Sequence, residues 1–144
     1  MRSILLALGL AVLMCGCASV SSVLKSKDEG TAQVYPVAKD DAWKISMTVL
    51  RWEGCETIEE HKDEGYMVTT FGQSFVSAGT IAAVWVEPMD HENTKVTVVT
   101  KRKVATNVAT ELTEASFHKR FAEAVEIVKE GKPLPIERPR GQTK

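Results

Sequence analysis

The chain has 144 residues and a mass of 15.8 kDa, room for one domain and not for a second core of ordinary size. At 44% hydrophobic and 26% charged, it is composed like a globular protein, which excludes wholesale disorder, a collagen-like or disulfide-dense scaffold, and a protein with several membrane spans. Eighteen basic against nineteen acidic side chains leave a net charge of −1, so no bulk field draws in nucleic acid, and none is expected as a partner.

Residues 1–16 carry a single charge, Arg2, ahead of an apolar run from Ile4 to Met14. That run is too short to cross a hydrocarbon core of ~30 Å as a helix and suits the middle of a secretory signal peptide. The segment Met14-Cys15-Gly16-Cys17-Ala18-Ser19 resembles the lipobox of bacterial lipoproteins. There a small residue precedes a cysteine that takes a diacylglyceryl group before cleavage in front of it. Gly16 stands before Cys17 and bulky Met14 before Cys15, so Cys17 is the match. The resemblance implies a signal peptide over 1–16 and a palmitate-bearing membrane anchor on Cys17. With Ala18 next rather than Asp, it also implies an outer-membrane protein facing the periplasm. Two or three acyl chains anchor a protein durably where one does not. Cys55 is then the one thiol left, with no internal disulfide to form, and reads as a small buried hydrophobe.

Residues 17–30 read as the acylated cysteine and a Ser-rich tether, and residues 132–144, with Pro133, Pro135 and Pro139, as an extended, solvated tail. Between them lies one domain, 31–131. It begins with a strand over Ala32–Pro36. Lys39-Asp40-Asp41 then supplies a cap and a negative first turn for a helix that runs to about Trp52, with Lys44, Thr48 and Arg51 as a narrow polar stripe. Gly54 ends it. Strands are expected over Cys55–Glu60 and Tyr66–Phe71 around a turn containing Gly65, and over Thr80–Val86 and Thr94–Thr100 around a longer loop. Alternation in the last strand predicts one apolar face and one wet face. Gly72–Gly79 reads as a small-residue loop displaying Phe75 and Val76. A final helix over about Glu111–Lys129 carries Phe117, Phe121, Ala124, Val125 and Val128 on one stripe.

Strand, helix, four strands, helix predicts an α+β fold: a two-layer sandwich, with both helices on one face of an antiparallel sheet in a helix-grip-like arrangement. The lipobox, the run Val34-Tyr35-Pro36 into Asp41-Ala42-Trp43, then Gly54 and Gly65, resembles small bacterial lipoprotein families of unknown function. That resemblance implies the same β-α-β-β-β-β-α order and carries over no catalytic residue.

No catalytic residue, metal ligand or cofactor is expected. His61, His91 and His118 are dispersed without ligand spacing and read as solvated, and neither a nucleophile motif nor a phosphate-cradling loop is present. The candidate partner contacts are Phe75 and Val76 in the small-residue loop and the basic cluster Lys101-Arg102-Lys103. The expected function is a lipid-anchored protein-interaction module in envelope assembly or maintenance, not an enzyme. The alternative is a carrier or sensor of a small apolar ligand beneath the last helix, lined by some of Trp43, Trp52, Trp85, Phe117 and Phe121.

Overall fold

The stretch Thr80–Val86, TIAAVWV, has almost no polar position, and a strand of that kind is stable when both its faces are covered. The computed structural model describes residues 18–74, 77–103 and 113–139, and places this stretch at the centre of a five-stranded antiparallel sheet. The strands are β1 (Thr31–Tyr35), β2 (Ile58–His61), β3 (Tyr66–Ser74), β4 (Ser77–Pro88) and β5 (Thr94–Arg102), in the spatial order β1-β5-β4-β3-β2. Helices α2 (Lys39–Trp52) and α3 (Glu114–Lys129) lie together on one face. The fold is α+β, with the element order expected for the domain. Among the described residues no helix is long and apolar enough to cross a membrane.

The core between sheet and helices uses every second residue of the central strands. Ala82, Val84 and Val86 from β4 and Val96 and Val98 from β5 meet Ile45, Val49 and Leu50 of α2 and Phe117, Phe121 and Val125 of α3. The apolar stripes expected on both helices are the ones buried. α3 starts three residues later than expected, where Thr113 and Ser116 form a reciprocal capping box. α2 differs at its start: Ala38, not the charged triplet, is the N-cap, and it supplies no side-chain bond to the first turn.

The opposite face is not wet. Ile81, Ala83, Trp85, Val68 and Val99 form a second apolar cluster, closed by Val23, which is fully buried. Val23 belongs to a six-residue helix, α1 (Val20–Lys25), capped reciprocally by Ser19 and Ser22. Residues 18–30 are therefore not a free tether. The odd positions of β4 are as apolar as the even ones, and a sheet face built that way recruits the nearest amphipathic segment. After α1 the chain crosses β5 so closely that a Cβ on Gly30 would sit 2.6 Å from the Val98 carbonyl oxygen. Only glycine passes there.

Two further segments differ from the reading of the sequence. Gly72–Gly79 is not a loop throughout: β3 runs on to Ser74 and β4 begins at Ser77, pairing Gln73 with Ala78 and Ser74 with Ser77. Facing Gly72 and Gly79 both adopt positive φ, 70° and 86°, a conformation side chains resist. Residues 132–139 are not wholly solvated, because Leu134 packs against the main core and Trp52 Nε1 donates to the Pro135 carbonyl at 3.0 Å.

Candidate functional site

Cys17, Phe75 and Val76, the residues singled out for lipidation and partner contact, lie outside the described residues. The basic cluster at the end of β5 is described, and it is less free than its sequence suggests. Lys101 Nζ bonds the Ser26 hydroxyl and lies 3.5 Å from Glu29, so it fastens the α1 segment to the sheet. The Lys103 amide donates to the Gly79 carbonyl at 2.9 Å. Arg102 is exposed. The run of three like charges thus contains one lysine committed to holding α1 on the sheet.

The best-organised polar centre joins α3 to the β1–β5 pair. His118 is 3% exposed, not solvated as its isolation in sequence implied. Its Nε2 lies 2.9 Å from the Thr31 carbonyl oxygen, an acceptor only, so Nε2 carries the proton. Nδ1 then accepts from the Tyr35 hydroxyl at 2.8 Å. Burial holds the imidazole below its ordinary pKa, against the opposing pull of the Thr31 carbonyl and the Glu114 carboxylate, and pushes the Tyr35 phenol up to about 12. One turn earlier, Glu114 Oε2 accepts from the Thr31 amide at 3.0 Å and the Thr31 hydroxyl at 2.5 Å, while Oε1 accepts from the Thr100 amide at 3.2 Å.

The backbone consequence is specific. In an antiparallel strand the N–H and C=O of one residue point to the same side, and those of alternate residues point together. Val86 bonds Gly65 and Lys103 bonds Gly79, so the even residues of β5 turn toward β1, and their partners Thr31, Gln33 and Tyr35 turn toward β5, which leaves Ala32 and Val34 pointing outward. The Tyr35 carbonyl is taken by the Val37 amide at 2.9 Å. α3 therefore adds its side-chain bonds at the β1–β5 junction, on Thr31 and Thr100 together, rather than along the outer edge of β1. His118 and Glu114 act here as structural clasps, a role visible only once residues 83 and more positions apart meet.

Two other groups bear on chemistry. Arg120 Nε lies 3.7 Å from Glu53 and its guanidinium grips both Glu123 oxygens at 2.9 and 2.8 Å, tying the end of α2 to α3. Cys55 is buried and its thiol is pushed up to about 11 by desolvation, so at neutral pH it is not the thiolate a nucleophile requires.

A surface cavity of about 310 Å³ opens over Trp43 at the start of α2, lined by Lys39, Asp40, Lys44 and Lys62. Trp43 Nε1 donates to Glu60 at 2.7 Å, which fixes its floor and holds the Glu60 carboxyl below its usual range. Its lysines are largely spent on neighbours, Lys44 on Asp41 and Lys62 on Glu60. Among the described residues, the side chains beneath α3 pack closely. Phe117, Phe121 and Ala124 are fully buried, and the rings of Tyr35 and Phe121 approach to 4.3 Å between centroids. Trp85, counted above among the residues able to line such a space, lies on the other face of the sheet.

The chain matches no known protein-family pattern and no characterised protein at a significant level. Solved structures give loose likenesses. A protein from Thermobifida fusca, solved in solution, is 12% identical with a TM-score of 0.40, covering 71% of this chain and 82% of its own. An uncharacterised protein from Bacillus thuringiensis is 9% identical at 0.37, covering 71% and 96%. The ZhuI aromatase/cyclase of Streptomyces sp. R1128 is 14% identical at 0.30, covering 70% and 85%. Likenesses this distant say nothing of activity.

Proposed function

We propose that this chain is a lipid-anchored lipoprotein of the bacterial envelope, held in the outer membrane by an acylated Cys17, and that it works as a protein-interaction module in envelope assembly or maintenance. The location rests on the lipobox-like run ending at Cys17. The mode of action rests on one observation, the close packing of the described side chains beneath α3: with Phe117 and Phe121 fully buried there, this reading gives recognition to the surface rather than to an internal ligand. The partner contact is assigned to Phe75 and Val76, between β3 and β4 in the sequence, or to the basic cluster Lys101-Arg102-Lys103.

Mass spectrometry of the mature N-terminus tests the anchor. An acylated Cys17 is expected, abolished by Cys17→Ser and untouched by Cys15→Ser; an unmodified terminus elsewhere refutes the assignment. For the contact, Phe75→Ser combined with Val76→Ser should weaken association with envelope proteins and leave the melting temperature near that of the parent. A stable double variant that still binds fully removes Phe75 and Val76 from consideration.

A further inference from the structure

Two residues after Cys17 in the sequence, the chain is already held in the fold. Ser19 caps α1, Val23 is sealed into the outer cluster, Lys27 reaches Glu87 at 2.7 Å, and Lys101 bonds Ser26. Gly30 is pressed against β5. There is no slack between residues 19 and 30. Two residues span at most about 7 Å, while the polar layer of one leaflet is about 5–7 Å deep. An acyl-bearing residue sits at the level of the headgroups, so Ser19 can stand no further from the membrane than the headgroup surface itself.

We infer that α1 is a short rigid mount that seats this domain directly on the lipid headgroups, with the flank formed by Val20, Thr57, Glu59 and Thr70 against the membrane and the outer faces of α2 and α3 turned away from it. This rests on the reading that Cys17 is acylated. Val20 is 42% exposed, and with Thr57, Glu59, Val68, Thr69 and Thr70 it lines a shallow hollow of about 190 Å³ beside the start of α1. Glu59 is the one charge in that lining, so the surface suits zwitterionic headgroups and lacks the basic residues that would select anionic lipid. A domain of this size extends only about 35 Å. Without a leash it cannot search across an envelope, and its partner must come to within about that distance of the same membrane.

The test uses the acylated full-length mature protein in phosphatidylcholine vesicles that contain headgroup spin-labelled lipid. A fluorophore is placed at Thr57→Cys beside the proposed contact, or at Lys44→Cys on the solvent stripe of α2. Cys55 is buried and does not compete for the label. Several-fold stronger quenching is expected at position 57 than at position 44. Inserting about ten Gly/Ser residues between Ala18 and Ser19, a leash of about 17 Å root-mean-square reach, should erase the difference without changing the melting temperature. Equal quenching at both positions in acylated protein of native spacing overturns the mount and leaves the lipidation intact. An unmodified Cys17 in the mass spectrum overturns both.

Discussion

Phe121→Ala is the most incisive perturbation of the helical layer. Phe121 is fully buried, its ring 4.3 Å from that of Tyr35 and 5.9 Å from that of Phe117 between centroids. Truncation removes the transfer energy of the ring and leaves a void whose cost depends on how far the neighbours relax into it. Relaxation is restricted here. Tyr35 is held through its hydroxyl by His118 at 2.8 Å, and moving it inward would strand a buried hydrogen-bonding group. The loss should therefore fall in the upper part of the range for buried aromatics, about 4–5 kcal/mol. At about 4 °C per kcal/mol for a domain of this size, the melting temperature drops by about 15–20 °C. Thermal unfolding followed by far-UV circular dichroism, on protein carrying Cys17→Ser so that no lipid complicates the transition, reads this directly. A drop below about 5 °C would mean that α3 does not depend on the Phe121 contact, and would refute the packing argument against an internal ligand.

Lowering the pH through the ordinary histidine value should destabilise the fold through His118. Its folded pKa is depressed, so the folded state binds fewer protons, and stability that is complete above about pH 6.5 declines below it. His118→Gln should flatten this part of a stability–pH profile; an unchanged slope counts against the clasp. The depressed carboxylates of Glu60, Glu87 and Asp90 lose their contribution only lower, as pH falls from about 4.5, so the two windows separate. Glu114→Ala removes the acceptor for two backbone amides and one hydroxyl and should cost about 1.5–3 kcal/mol, with faster amide exchange at Thr31 and Thr100. Exchange unchanged at both positions would refute its role at the β1–β5 junction. Val23→Asp should release α1 for about 2–3 kcal/mol and open residues 18–29 to proteolysis while the α2–α3 core still melts cooperatively; continued protection of that segment would refute the docking of α1.

The elements that the sequence by itself determined are those whose signal is local and repeated. The stripes of Ile45, Val49 and Leu50 and of Phe117, Phe121 and Val125 recur with helical period and could bury themselves in one way only, and the β-α-β-β-β-β-α order followed from them. Positions that depend on what lies opposite were decided by the tertiary structure. Six residues of α1 form too short a helix to announce itself, and Val23 is buried because β4 happens to offer Ile81, Ala83 and Trp85 on its far side. The charge on Lys101 is visible in the sequence, but its commitment to Ser26 and Glu29 is not. His118 stands alone in the chain and becomes part of a clasp because Thr31 and Tyr35, more than eighty residues earlier, form the strand that α3 crosses. Periodicity is a property of neighbours along the chain, whereas satisfying a buried polar group is a property of neighbours in space, and the fold alone brings those together.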